Sequence, residues 1–319
     1  MDDLQSTGDL QPKEDLQPIQ DSRALRDLRR AMAALAEKKL ADGTAARALA
    51  WREGALPHLA EPAFFSRGDE LGDMTYGGHC RANLSGLLAG AGAGTLAFLR
   101  PCDARGYAAM LGENRAGRAG AHIVGIGCPG VFAFGNGSGN ARLEAACAAC
   151  GHGHPDGLCD ELLGAHVRPP SRPEGRFDGV EAIEGMAPDA RRAFWQGELG
   201  RCVRCNACRN ICPVCGCKKC VFDSEKYDSR QTVSASESEE RMFHIVRAYH
   251  VAGRCTDCGQ CSLACPQKIP LHLLNRKHIK DIGAFFGARA DGRSPLASIS
   301  PEEAAGDPEP GAAKRRDGQ

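Results

Sequence analysis

RCVRCNACRNICPVCGCKKC (201–220) decides how this chain is read, together with its echo CTDCGQCSLACP (255–266). Each contains Cys-x2-Cys-x2-Cys-x3-Cys-Pro: Cys202, Cys205, Cys208 and Cys212 in the first run, and Cys255, Cys258, Cys261 and Cys265 in the second. Three thiolates at this spacing wrap one iron–sulfur cube while the fourth points away. Where two such runs share a domain, the fourth cysteine of each ligates the other cluster. The pattern assigns one [4Fe-4S] cluster to Cys202, Cys205, Cys208 and Cys265, and a second to Cys255, Cys258, Cys261 and Cys212. Pro213 and Pro266 close the runs, their fixed φ turning the chain away from the cluster. The competing reading is a zinc-binding structural module. Structural zinc sites, however, usually pair Cys-x2-Cys units across a longer gap.

Composition narrows the class. A length of 319 residues allows two domains. Lysine plus arginine equals aspartate plus glutamate at 40 each, so no overall charge calls for nucleic acid or an anionic membrane. Cysteine is the anomaly, at 17 residues. No apolar leader opens the chain and no run reaches the length of a membrane span. The cysteines therefore read as metal ligands or redox groups in a reducing cytoplasm, not as a disulfide framework.

In chain order, residues 1–22 repeat a six-residue unit (DLQSTG, DLQPKE, DLQPIQ) and read as a disordered acidic tail. A helix is predicted over 23–41, capped by Asp21 or Ser22, with Leu25, Leu28, Met32 and Leu35 on one stripe and Gly43 ending it. Residues 23–167 read as an α/β module. Its strand TLAFLR (95–100) runs into Pro101, Cys102 and Asp103, with Asp103 capping a helix over 104–111. A second strand, HIVGI (122–126), runs into Cys128, Pro129 and Gly130. Strand, helix, strand implies a right-handed parallel crossover, which sets both cysteines just past strand carboxyl ends, where open α/β sheets hold ligands. Adjacent strands would bring Cys102 and Cys128 within about 5 Å of strand spacing. Cys80 precedes a helix expected over 82–88, and Cys147 and Cys150 form a further Cys-x2-Cys. Two readings stand for Cys80, Cys102, Cys128, Cys147 and Cys150: a third cluster, or ordinary buried thiols. The glycines 90, 92, 94 and 135, 137, 139 read as plain turns, because neither set sits between a strand and a helix as a dinucleotide loop must.

Residues 168–180 read as a proline-rich linker, 181–287 as an α-helical two-cluster module and 288–319 as a disordered tail. A helix from 188 to 199 delivers the chain to Cys202. In the insert between the cysteine runs, Ser236 and Glu239 can form a capping box, Met242, Ile245, Val246 and Tyr249 share a face, and Gly253 stops the helix. Another helix is predicted over 270–286. Cys215, Cys217 and Cys220 crowd behind Pro213, where they can hold three corners of a further cluster, bind a local zinc or remain free thiols. Arg201, Arg204, Arg209, Lys218 and Lys219 can offset the negative charge of a cluster, dock an acidic partner or face solvent.

RPCDAR (100–105), GIGCPGV (125–131), the CAAC and HPDGLCDELLG pieces within 147–164, and the first cysteine run resemble the coenzyme F-420 hydrogenase/dehydrogenase β-subunit family. The resemblance spans roughly residues 51–287. It implies an α/β module followed by an α-helical ferredoxin module, and an iron–sulfur electron-transfer subunit of a cytoplasmic anaerobic oxidoreductase complex. The implied partners are other redox subunits: a heterodisulfide-reductase-like flavoprotein, a hydrogenase or a formate dehydrogenase. Family members of β-subunit architecture carry clusters and a flavin (FAD) and exchange electrons with a soluble hydride carrier. A flavin-containing dehydrogenase subunit is therefore the alternative reading. Here the ferredoxin part follows the α/β part instead of preceding it, and no flavin motif carries over residue by residue.

Overall fold

The computed structural model describes residues 22–56, 59–117, 120–133, 142–155, 157–164, 173–223 and 237–287, the side chains of 237–240 excepted. Ser22 opens helix α1 (Arg23–Ala41), its hydroxyl accepting from the Leu25 amide at 3.3 Å, as a residue just outside a helix does. Leu25, Leu28, Met32, Ala36 and Leu40 recur at helical spacing and are buried on the sheet.

The strands are β1 (Arg47–Glu53), β2 (Ala60–Phe65), β3 (Met74–Thr75), β4 (Thr95–Leu99), β5 (His122–Ile126), β6 (Phe132–Ala133), β7 (Arg142–Leu143) and β8 (Glu161–Leu163). The main sheet has the order β2-β1-β4-β5-β8, with β3 on β1 and the β6-β7 pair apart. β1, β4, β5 and β8 are parallel, with Leu49 opposite Ala97, Phe98 opposite Val124, and Gly125 opposite Leu162. All five residues of β4 are buried, as expected of a parallel strand covered on both faces. A short helix α2 (Ser85–Gly90) precedes β4, and β4 and β5 are direct neighbours joined through helix α3 (Pro101–Gly112). The helix expected over 82–88 is thus shorter and starts later.

α3 spans Pro101–Gly112, three residues earlier at its start than the sequence suggests. Arg100 is its N-cap, Pro101 takes the first turn where no amide partner is lost, and Asp103 occupies the third position of a capping box. Asp103 therefore does not precede the helix; its carboxylate reaches back to the Arg100 amide at 3.1 Å.

A short α4 (Ala145–Ala148) lies between β7 and β8, and the second half is helical: α5 (Asp178–Glu184), α6 (Pro188–Gly200), α7 (Ala207–Asn210), α8 (Glu237–His250), α9 (Gln260–Leu263) and α10 (Leu271–Phe286). Part of the expected linker is locally helical. Residues 173–177 form a 3-10 helix that runs into α5, and α5 packs on α10 through ion pairs such as Lys280–Glu184 at 2.6 Å. On α8 the buried residues are Phe243, His244, Arg247 and Ala248, while Met242, Ile245 and Tyr249 are exposed. The buried face is thus rotated by one residue from the apolar stripe read in the sequence. The capping box at Ser236 and Glu239, the 135–139 glycines and both tails lie outside the described residues.

The two halves share a core. Ala109 of α3 packs with Val214 and Val251, and Cys212 and Cys255 lie against them. Arg254 forms a two-point ion pair with Glu113 at 2.5 and 2.7 Å and donates to the Val214 carbonyl at 2.8 Å. Gly259, at φ +68°, lies so close to α4 that a Cβ there would stand 2.3 Å from the Ala146 Cβ. Only glycine tolerates both the left-handed turn and that approach. No helix among the described residues is long and apolar enough to cross a membrane.

Candidate metal centres

The two cysteine runs fold as copies. In the first, Arg204 and Asn206 have φ of 46° and 60°; in the second, Asp257 and Gly259 have 53° and 68°. These left-handed residues alternate with the cysteines. A non-glycine residue there costs about 1 kcal/mol or more, and alternating left- and right-handed backbone turns successive amides toward a common anion. The backbone amides do reach sulfur: the Arg204 amide donates to Cys202 Sγ at 3.4 Å and the Asp257 amide to Cys255, while from outside the run the Asn275 side-chain Nδ2 donates to Cys261 Sγ at 3.5 Å. Each run then enters a one-turn helix, α7 or α9, and closes on matching turns, Cys215 amide to Cys212 carbonyl and Lys268 amide to Cys265 carbonyl.

Two cavities result. Cys202, Cys205, Cys208 and Cys265 line the first, with Phe243, Ile269 and Leu271 as apolar wall. Cys212, Cys255, Cys258 and Cys261 line the second, with Pro213, Val214 and Asn275. The first run thus sends Cys212 to the cavity of the second, and the second returns Cys265. Among the described residues, no three His, Cys, Asp or Glu side chains converge on a point as one ion requires. Burial raises the thiols of Cys208, to about 11, and of Cys255 and Cys258. Loading with metal must therefore release protons.

A third cavity opens between the halves, lined by Cys102, Cys128, Cys147 and Cys150, with Arg105, Glu144, Ala146 and His152. Burial is the main cause that holds Cys102 at about 11 and Cys147 at about 12 and drives Cys128 higher. The neighbouring thiols add to this: Cys128 feels Cys102 and Cys147, and Cys102 and Cys147 both feel Cys150. Cys102 stands at the start of α3 after β4, and Cys128 follows β5. Cys80 is excluded from this group. It is buried in the main core, held at about 12 by burial, with Arg100, Arg29 and Glu53 as its charged neighbours. Its carbonyl accepts from Arg100, so it belongs to the scaffold. Cys258 lines both this front cavity and the second one.

Cys215, Cys217 and Cys220 line none of these three cavities. They neighbour one another electrostatically beside Cys212, and Cys217 is exposed. The arginines of the first run make contacts of their own. Arg201 pairs with Glu198, Arg209 with Asp223 at 2.6 Å, and Arg204 lies 4.4 Å over the Phe243 ring. Of the cations near the cavities, Arg204 lines the first, Arg105 on α3 lines the front one, and Arg247 on α8 is buried among the thiols of Cys261, Cys212, Cys208 and Cys215. Asp257 is held by Arg176 and Arg276, each at 2.8 Å, which keep its carboxyl below the usual range although burial opposes them. None of Arg105, Arg247, Arg176 and Arg276 carries a sequence signal, because their partners lie far along the chain.

Two buried histidines make the module acid-sensitive. Burial, assisted by nearby arginines, pushes His244 and His272 down to about 4. Their unfolded value is near 6.5, so their contribution is present above pH 6.5 and is lost as pH falls toward 4. The metal-free chain is expected to lose stability across that window, where each tenfold difference in proton affinity between the folded and unfolded chain is worth about 1.4 kcal/mol. His244→Phe should move the acid midpoint, followed by circular dichroism, to lower pH. An unchanged midpoint would remove His244 from the account.

Residues 198–269 match the 4Fe-4S dicluster domain family. The chain is 31% identical over 87 residues to the F420-dependent formate dehydrogenase subunit beta of Methanocaldococcus jannaschii, covering 27% of this chain and 22% of that protein. It is 33% identical over 113 residues to F420-dependent formate dehydrogenase 1 subunit beta of Methanococcus maripaludis, covering 34% and 28%. Lactate utilization protein B of Bacillus subtilis is 28% identical over 132 residues, covering 39% and 25%. The chain thus spans less than a third of the length of these relatives. It is an iron–sulfur protein with an α/β region ahead of a 4Fe-4S dicluster domain, similar in part to formate dehydrogenase β subunits.

Proposed function

We propose that this chain is an electron-transfer subunit of a cytoplasmic anaerobic oxidoreductase complex. It would hold [4Fe-4S] clusters at the two crossed cysteine sets and a third at Cys102, Cys128, Cys147 and Cys150. The observation that carries the proposal is the row of three four-cysteine cavities, with Cys258 in the wall shared by the front and second ones. When bound, such clusters supply one-electron transfer at potentials set by charge, hydrogen bonds to sulfur and exposure. The chain's own part is to seat them: the left-handed turns aim amides at sulfur, Phe243, Ile269 and Leu271 exclude water, and the docked halves keep the cavities adjacent. The similarity to formate dehydrogenase β subunits supports a partner of that class, with a hydrogenase or a heterodisulfide-reductase-like flavoprotein as the other candidates.

Iron and sulfide determination on the anaerobically reconstituted full chain tests this. At four irons per cubane, about twelve are expected, falling to about eight in Cys102→Ser. Eight in the unaltered chain removes the front centre, and fewer than eight sinks the relay. A flavin band in the visible spectrum would instead favour a subunit that splits hydride into single electrons.

A further inference from the structure

Two buried arginines lie close to groups that belong to two different cavities. Arg247 is 5% exposed, its Nη2 donates to the Cys208 carbonyl at 2.8 Å, and its Nε has no partner. The charged groups it feels are the thiols of Cys261, Cys212, Cys208 and Cys215. Cys208 belongs to the first cavity, and Cys212 and Cys261 to the second. Arg105 is 3% exposed and lines the front cavity. Its Nε donates at 3.2 Å to the carbonyl of Thr256, in the wall of the second cavity, and its Nη1 has no partner. Among the described residues neither guanidinium pairs with a carboxylate, unlike Arg100, Arg176 and Arg276.

A buried guanidinium without a counter-ion is destabilising by several kcal/mol, so both positions need negative charge that the polypeptide alone does not supply. Thiolate-ligated clusters supply it. Reduction adds one more electron to that charge, and a fixed cation at close range in a low-dielectric wall favours the reduced state. We propose that Arg247 is the shared counter-cation of the first and second centres, and Arg105 that of the front and second centres, each raising the potentials of the two centres it neighbours. Resting on the relay reading, this assigns the arginines a positioning and tuning role that sequence spacing does not show. The alternative is purely structural, with Arg247 merely bracing the Cys208 turn and Arg105 the Thr256 turn.

Redox titration of the reconstituted full chain with dithionite and mediators, followed by electron paramagnetic resonance, separates the two. Arg247→Gln is expected to make reduction of the first and second centres at least tenfold less favourable, about 59 mV for one electron, while the front centre stays in place. Arg105→Gln should lower the front and second centres and spare the first. Arg247→Lys and Arg105→Lys keep the charge and should stay near the unaltered values. Unchanged potentials in a glutamine variant with full iron overturn the assignment for that residue, as does a lysine variant that shifts as far as glutamine. If a glutamine variant loses iron, its lysine counterpart decides: iron and potentials kept support the charge role, and either lost overturns it. Eight irons in the unaltered chain would remove the front centre and the Arg105 half with it. The Arg247 half would still be decided on the two remaining centres.

Discussion

Asp103→Ala is expected to destabilise the metal-free chain by roughly 3–5 kcal/mol, the usual cost of stranding one partner of a buried ion pair. Asp103 and Arg100 are both essentially inaccessible, with Arg100 Nε 2.8 Å from the carboxylate and Nη2 at 3.2 Å. The same carboxylate accepts from the amides of Arg100 and Leu84, each at 3.1 Å. Arg100 in turn lies 4.8 Å over the Trp51 ring and donates to the carbonyls of Cys80 and Ala82. One carboxylate thus fixes the start of α3, the chain before α2 and the cation between them. Because Cys102 lies between Arg100 and Asp103 in the first turn of α3, the variant should also lose iron from the front cavity while keeping that of the other two. Asp103→Asn keeps part of the acceptor set and should lie between. Denaturant unfolding would measure this, and a loss under about 1 kcal/mol would mean that Arg100 finds another partner.

The parts of this architecture that were legible in the sequence are those in which spacing is itself the chemistry. The four-cysteine runs need no fold to be read, since their x2 and x3 spacing is itself the pattern of a two-cluster domain, which residues 198–269 match. TLAFLR and HIVGI were legible because parallel strands buried on both faces are continuous apolar runs. They place Cys102 and Cys128 past strand ends, and the sheet order makes those strands neighbours. The face of α8 was not legible. Its apolar residues Met242, Ile245 and Tyr249 advertise a stripe, yet the chain buries His244 and Arg247 beside Phe243. Periodicity counts hydrophobicity, and a helix packed against anionic sites buries a cation for electrostatic reasons that periodicity does not see. Nor was the docking of the halves visible: Gly259 against Ala146 and Arg254 against Glu113 are pairs with no local pattern. Five front cysteines looked equivalent in sequence; only packing sets Cys80 within the main core and the other four around one cavity.

Cys212→Ala is expected to remove the centre of the other run, about four irons, and to leave its own run's centre intact. Cys212 follows α7 by one turn, its amide bonded to the Arg209 carbonyl at 3.3 Å, and Pro213 then directs the chain toward α3. There Arg254 and Arg115 both donate to this segment, at the Val214 and Pro213 carbonyls, and Val214 is buried with Val251 and Ala109. The segment is therefore fixed by contacts outside its own loop, and Cys212 lines the cavity of Cys255, Cys258 and Cys261. If the crossing governs ligation, the paramagnetic spectrum of Cys212→Ala should match that of Cys258→Ala and differ from that of Cys205→Ala. Cys265→Ala should match Cys205→Ala. The double variant Cys212→Ala/Cys258→Ala should lose no more iron than either single variant, because changes within one unit are not additive. Iron losses that add, or a Cys212→Ala spectrum matching Cys205→Ala, would show each run holding its own cluster and would overturn the crossed assignment.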